Sequence, residues 1–587
     1  MKKLIQSFTL ITALSLLTSL PATAKPDTTT GKAAKLAPYS ERDFQDEIFY
    51  FVLPDRFYNG DESNDLGAAK NDKKRALSRG GLDKTSKGMF HGGDLAGLTE
   101  KLSYLDNLGI TSIWLTPILR NQAMQADSSG YHGYWILDFT EIDPHLGSNA
   151  DLKNFIEQAH KRNIKVFFDI ITNHTADVIK YKECHGNDGL GWLVDGNSCP
   201  FKSLAKVAEG DTYTPLIPKG NEQLKTPQWL NDIEVYHNQG DSFWQGESAI
   251  RGDFSGLDDV DTNNEKAVNG MIDIYKNIID EFKPDGFRID TVKHVNIEFW
   301  QAFSPALMAH AKSLSIDNFV MFGEVYNFVP ADLAYFTTEG KLPSVLDFAF
   351  QGTLADALVR QKGTNVLAKL FAQDHVYQTS HADIPNTDAN KLVNFTGNHD
   401  MGRFAYLLKQ SKHDYSEQEQ IQRNLLAHAL IYFSRGVPVI YYGDEQGFVG
   451  DGGDQASRQD MMPSKVDSYN DDDLLATDKT TAVDNFDINH LFYKTFAQYA
   501  EVYQQYPALR FGQQTTLYSQ NKPGLFAIQR AYVASNKSQK LVVVFNTATK
   551  VQSLETMPEQ ANAKLVFKSE QSEAGKLAPL SFAIYQI

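Results

Sequence analysis

Short apolar runs alternate with longer amphipathic stretches over most of the chain. Eight runs, at 48–53, 112–115, 165–171, 286–289, 320–323, 344–348, 391–395 and 437–442, are too brief for helices and place apolar residues at successive positions. That is the pattern of strands buried on both faces. Between several of them apolar residues recur at helical spacing, as in 98–108, 149–162, 267–282 and 418–433. The alternation predicts parallel βαβ units, and eight repeats predict an α/β fold, a closed TIM (β/α)8 barrel.

Two segments break the rhythm. Residues 175–255 are loop-rich and too long for a plain βα connection, which predicts an inserted domain after strand 3. Past Pro507 a series of β-like runs separated by turn residues, at 515–519, 525–531, 541–546, 564–568 and 580–587, predicts a C-terminal all-β sandwich domain over 507–587. The barrel then takes 44–174 and 256–506. At the other end, Lys2 and Lys3 precede a moderately apolar run and Ala22-Thr23-Ala24 offers small residues for cleavage. This reads as a signal peptide over 1–24, followed by a flexible N-terminus at 25–43, and predicts export to the periplasm or the medium.

Of the 587 residues, 42% are hydrophobic and 22% charged, ordinary values that exclude a disordered or fibrous chain. Lys and Arg number 56 against 73 Asp and Glu, a formal charge of -17, so repulsion from phosphate backbones argues against nucleic acid as a partner. After the leader no segment is long and apolar enough for a membrane span, and a monomer is expected. The two cysteines, Cys184 and Cys199, both fall in the insert. In an exported chain they predict a disulfide closing a local loop, with two free thiols as the alternative; a zinc site would need further Cys or His ligands.

A parallel barrel carries its chemistry at the carboxyl ends of the strands. Here the third run ends in Asp169 and leads to Asn173-His174, and the fourth brings Arg288, Asp290, Lys293 and His294. The fifth ends in Gly323-Glu324, and the seventh leads to Asn398-His399-Asp400. Cleaving a glycosidic bond takes one carboxylate to attack or stabilise the anomeric carbon and a second, protonated, to supply the leaving oxygen with a proton. Asp290 and Glu324 suit those tasks. On an extended strand Arg288 and Asp290 share a face, so the guanidinium keeps the aspartate ionised. Glu324 follows apolar residues, where desolvation favours a held proton. Asp400 adds negative charge toward an oxocarbenium-like transition state. A lone Asp after a strand is more often a helix N-cap, but a cap needs neither an Arg two residues earlier nor an Asn-His pair before it.

These four segments resemble the signature regions of the α-amylase family, glycoside hydrolase family 13, and the resemblance extends from about Ile48 to the C-terminus. It implies an α-retaining double displacement on α-1,4-glucans such as starch or maltodextrin. In it Asp290 is nucleophile, Glu324 acid/base and Asp400 transition-state stabiliser, while Arg288, His174 and His399 hold Asp290 and the sugar hydroxyls. Tyr131-His132-Gly133-Tyr134-Trp135 resembles the family's YHGYW segment, which implies stacking of Tyr134 on the reacting glucose and a hydroxyl contact from His132. Core packing is the plain alternative for these rings. Lys293 and His294 resemble binders on the leaving-group side, and Asp454 with Arg458 a clamp on the non-reducing side.

Oxygen donors crowd a turn glycine between residues 59 and 65, which suits Ca2+ with its six to eight oxygens, although turn chemistry also selects Asn, Gly and Asp. The segment is similar to the N-terminal calcium site of cyclodextrin glycosyltransferases. That similarity implies Asn59, Asp61, Asn64 and Asp65 as ligands, with Gly92 and Asp94 closing the shell. A second site joining insert and barrel would use Asn173, Asp259 and the carbonyl of His294. Cyclising members usually carry an aromatic where this chain has Ser255, a departure that favours hydrolysis. An α-glucanotransferase or cyclodextrinase is the alternative in the same family. A non-catalytic carbohydrate-binding relative is the alternative of another class, and it should lack one of the three acids.

Overall fold

Eight parallel strands form the centre of the protein: β1 (Phe49–Val52), β2 (Ser112–Leu115), β3 (Lys165–Ile170), β4 (Gly286–Ile289), β5 (Val320–Gly323), β6 (Ser344–Val345), β7 (Val393–Asn394) and β8 (Val437–Tyr441). The computed structural model describes residues 36–587 apart from 73–74, 187, 190, 535–536, 556–562 and 571–572. The signal peptide read at 1–24 and the start of the segment 25–43 lie outside the described residues. Each strand pairs with its neighbour in order, β1 also pairs with β8, and the ring closes where Leu346, just past β6, bridges Val393 of β7. The sheet is the predicted (β/α)8 barrel.

The two-residue period of a strand decides what fills it. On the inward positions, rings occupy the lower layers: Phe49 meets Phe167 at 4.8 Å and Phe322 at 5.5 Å, and Phe51 stacks on Trp114 at 3.8 Å. Two positions further along, the same rows end in charge. Phe167 is followed by Asp169 and Phe322 by Glu324, with Arg288 on β4 and Asp290 just past its end between them. Register places Arg288 beside Asp169 on one side and Phe322 on the other. The aromatic layers thus form an apolar floor under an ionic mouth. Gly286 is required at that floor, because an added Cβ would come within 2.2 Å of both the Phe167 ring and the Val320 carbonyl.

Helices cover the barrel with the predicted spacing. Glu265–Phe282 buries Met271, Tyr275, Ile278, Ile279 and Phe282 on one face, starts at an Asn264 N-cap and stops where Lys283 turns left-handed. Asn149–Lys161 opens with a capping box between Ser148 and Asp151. The end of the segment read as a flexible N-terminus is instead tied down. Arg42 is buried, with Nε and Nη2 donating to the two oxygens of Glu47, and Tyr39 stacks on His160 at 3.9 Å. A buried bidentate ion pair fixes backbone that composition alone marks as loose.

The chain leaves the barrel between β3 and β4 for the insert, whose neck is fastened by antiparallel pairing of His174–Thr175 with Asp258–Asp259. Inside it, Cys184 and Cys199 form a disulfide with Cα atoms 5.8 Å apart, packed with Tyr181 and Tyr213 in a small separate core. At the C-terminus β9 (Gln513–Tyr518), β10 (Leu525–Ala534), β11 (Lys537–Asn546), β12 (Lys564–Lys568) and β13 (Ser581–Gln586) form an antiparallel sheet in the order β9-β10-β11-β13-β12. Both faces are apolar. Phe526, Val543, Phe545 and Phe582 join the main core, whereas Ala527, Val542 and Val544 pack under Leu554 and Leu577 of a two-stranded ribbon. Among the described residues no helix is long and apolar enough to cross a membrane.

Candidate active site

Arg288 organises the mouth of the barrel. Wholly buried, it donates from Nη1 to Asp169 Oδ1 at 2.7 Å and to Asp290 Oδ1 at 2.8 Å, and its Nη2 lies 2.9 Å from Glu324 Oε2 as an ion pair. One guanidinium therefore faces three carboxyl groups from three consecutive strands. Burial pushes Asp290 and Glu324 up to about 7 and Asp169 up to about 6, against the opposing pull of Arg288. Mutual repulsion adds to the rise, since one cation cannot neutralise a cluster of buried carboxylates. Asp169 and Asp290 each accept a hydrogen bond from Arg288 directly. Glu324 has a backbone N–H, from Thr291 at 3.2 Å, and the less well aligned Nη2.

Thr291, next to Asp290, has φ 47°, a left-handed conformation that a β-branched residue rarely adopts. Strain of this kind costs about 1–3 kcal/mol and clusters at functional sites. The turn it makes aims the Thr291 amide at Glu324 and so ties the end of β4 to the end of β5. Asp400 reaches the mouth from the loop after β7. Asn398 Oδ1 accepts from the amides of Asp400 and Met401 at 3.0 and 2.9 Å, and Arg458 Nη2 donates to Asp400 Oδ1 at 3.1 Å.

Asp290, Glu324 and Asp400 line one cavity of about 690 Å³, together with His132, Tyr134, His174, Lys293, His294, Asp454 and Arg458. Arg288 and His399 stand behind its wall. His399 Nε2 is 2.8 Å from the Tyr134 hydroxyl, which also donates to Asp169 at 3.1 Å, and the His399 and Tyr134 rings stack at 5.6 Å. Burial holds all four cleft histidines neutral: His132 and His399 well below the usual range, His174 at about 3 and His294 at about 4. Neutral imidazoles suit a polyhydroxyl ligand. Lys293 donates to the Tyr326 carbonyl at 3.2 Å, and Asp454 pairs with Arg458 at 2.6 Å.

Several participants are absent from the sequence-based set. Asp169, visible at the end of its strand but given no role, is the second anchor of Arg288. Trp114 donates from Nε1 to Asp169 at 3.1 Å. Tyr326, Phe254 and Trp244 line the cavity but come from irregular segments, where no periodicity marks a residue as facing a cleft.

The first proposed calcium set converges. Asn59 Nδ2 donates to Asp65 Oδ1 at 2.7 Å, while Asp94 accepts from the amides of Gly60, Asp61 and Gly97 and from Asn64 Nδ2. An added Cβ on Gly92, whose φ is 91°, would fall 2.5 Å from Asp65 Oδ1. The side-chain oxygens of Asn59 and Asn64 are buried without a partner, as expected of cation ligands. Asp61 instead turns its Oδ1 to the amide of Ser63. The second set fits less well. Asp259 pairs with His237 at 2.6 Å, and His237, raised to about 9 by the surrounding carboxylates, also meets Asp261 at 3.0 Å. An imidazolium already supplies the positive charge there. The three-acid group Asp451, Asp471 and Asp472 lies outside both sets.

Residues 51–484 match the catalytic domain of α-amylases. The chain belongs to the α-amylase family. An α-amylase of Streptomyces lividans is 43% identical over 564 residues, 92% of this chain and 59% of that protein. A cyclomaltodextrin glucanotransferase of Klebsiella oxytoca is 29% identical over 430 residues, 69% of this chain and 58% of that protein. The crystal structure of an Anoxybacillus α-amylase superposes with a TM-score of 0.66 at 25% identity, covering 93% of this chain and 98% of that one. The chain spans about three-fifths of the length of the two sequence relatives.

Proposed function

We propose that the chain is an exported, retaining α-glucan hydrolase that cleaves α-1,4-glucosidic bonds of starch and maltodextrins. The observation that carries this reading is the Arg288 guanidinium reaching Asp290 and Glu324 from adjacent nitrogens at the wall of one cavity. That bridging geometry is compatible with the separation of about 5 Å characteristic of retaining glycosidases.

In the first displacement an Asp290 oxygen attacks the anomeric carbon while Glu324 gives its proton to the departing glycosidic oxygen, leaving a glycosyl ester on Asp290. In the second, Glu324 takes a proton from water, the resulting hydroxide attacks the anomeric carbon, and the Asp290 ester bond breaks with its electron pair returned to the carboxylate. Asp400, held by Arg458, faces the positive charge that builds on the sugar in both steps. His132, His174 and His399, neutral, take part as hydrogen-bonding groups, and Lys293 and His294 serve the leaving-group side. Asp454 and Arg458 form the clamp on the other side, with Tyr134 as the stacking ring.

Hydrolysis is favoured over transfer by the wall at Ser255. Ser255 itself brings no ring to that wall, and the adjacent Phe254 is engaged by His174, stacked at 5.0 Å. The catalytic domain is assigned to 44–174 and 256–506, the insert to 175–255 and the C-terminal domain to 507–587, in a monomer. We assign one Ca2+ to Asn59, Asp61, Asn64, Asp65, Gly92 and Asp94, where it would tie the loop after β1 to the helix Leu95–Glu100. Asn173, Asp259 and the His294 carbonyl remain a weaker candidate, since His237 holds Asp259. Chromatography of products from maltotriose, soluble starch, pullulan and cyclodextrins tests the reading. Glucose and maltose from maltotriose without longer products support hydrolysis; products longer than the substrate point to a transferase, and no cleavage of any of the four refutes the proposal.

A further inference from the structure

A second cavity, about 680 Å³, lies beside the catalytic cleft in the insert. The two share Trp244 and Ser255 in their walls. Trp244 is a ridge between them. Its backbone is left-handed, with φ 67°, its ring packs edge-on to Phe254 at 4.4 Å and His294 at 5.6 Å, and 42% of its surface remains exposed. Trp192, also in the wall of the second cavity, is 41% exposed, its ring set 4.3 Å from that of His185. Two large rings left in water in the wall of one cavity are unusual for a surface that only closes a fold.

The polar lining has a matching character. Asp177 is paired with Lys180, Asp241 accepts from the Ser198 hydroxyl and the Cys199 amide on the same oxygen, and Asp253 accepts from the Tyr181 hydroxyl. Burial pushes Asp253 well above the usual carboxylate range, which leaves Asp177 and Asp241 against the one ammonium, a balance that does not attract anions. Carboxylates beside exposed rings offer what a neutral sugar chain needs, acceptors for hydroxyls and flat apolar faces for C–H surfaces. The disulfide from Cys184 to Cys199 and the buried Tyr181 and Tyr213 hold this wall in shape without ligand.

We propose that this cavity is an accessory glucan-binding site, and that a long chain leaves the cleft over Trp244 to lie against Trp192. The inference rests on the reading of the cleft as an α-glucan site. It makes the insert a gauge of substrate length: a trisaccharide is held by the cleft alone, whereas a long chain gains the second set of contacts.

The test compares kcat/KM on amylose with kcat/KM on maltotriose in the wild-type chain, Trp192→Ala and Trp192→Phe. The ratio is expected to fall at least fivefold in Trp192→Ala and to stay within twofold of wild type in Trp192→Phe, which keeps a stacking ring. An unchanged ratio in Trp192→Ala, or an equal loss on both substrates, overturns the proposal. Should Trp192→Ala not fold by circular dichroism, titration of maltotriose and maltoheptaose into Asp290→Asn decides instead. Tighter binding of the longer sugar, with quenching of tryptophan fluorescence that the shorter one lacks, supports the site; equal affinity overturns it. Absence of any wild-type cleavage refutes the reading of the cleft itself, which normal cleavage with no dependence on length leaves standing.

Discussion

Arg288, on β4, donates a 2.8 Å hydrogen bond to Asp290, two positions on and one residue past the end of the strand. Because alternate residues of a strand share a face, this contact is built into the local chain and needs no loop to bring it about. It gives Asp290 a permanent counter-charge in a site whose burial favours the neutral acid.

Replacing Asp290 by Asn is expected to lower kcat by at least about 10⁴-fold, since no nucleophile remains. The fold should survive, as Asn keeps the shape and an acceptor for Arg288. Arg288→Lys keeps the charge but loses the fork that spans three carboxyls, and buried pairs that lose a partner cost about 3–5 kcal/mol. Steady-state kinetics with maltoheptaose and thermal melts check both. Residual turnover near wild type in Asp290→Asn would refute its role.

Burial pushes Glu324 up to about 7. A general acid works only while protonated, so kcat/KM on starch should fall as pH rises through about 7. With α-maltosyl fluoride, whose leaving group needs no proton, that alkaline fall should vanish, and Glu324→Gln should retain formation of the glycosyl ester. An alkaline limb of the same position on both substrates would assign it to another group.

Glu445, just past β8, is buried and accepts from the hydroxyls of Tyr50 at 2.7 Å and Tyr104 at 2.9 Å. Burial raises it from 4.5 to about 7. The folded chain then holds a proton that the unfolded chain releases, so its contribution to stability is complete below pH 4.5 and is lost as pH rises through 7. Glu445→Gln cannot release that proton. Its melting temperature should decline less than that of wild type between pH 5 and 8; parallel declines would show that the carboxyl does not titrate there.

Removing Ca2+ with EDTA is expected to lower the melting temperature by about 5 °C or more, the effect of a ligand present at about a hundred times its Kd. Asn59→Ala should abolish the response, because its buried oxygen is left unpartnered by the protein. Asp94→Ala is a poorer probe, as it also removes the N-cap of Leu95–Glu100. An unchanged melting temperature in EDTA would count against the site.

The sequence by itself determined the barrel, the insert, the β-rich end and the row of acids at the strand ends, because each is a matter of short-range periodicity. A strand buried on both faces must read as an unbroken apolar run, and the residue after it must stand at the barrel rim. The Arg288–Asp290 contact belongs to the same class. Tertiary structure alone decided the rest. Asp169 became the second anchor of Arg288 through a register between strands that lie more than a hundred residues apart in the chain. His237 took Asp259, Arg42 pinned the N-terminal segment, and Trp244 entered the cleft from a loop. Such contacts depend on where irregular backbone returns in space, and neither spacing nor composition encodes the path of a loop.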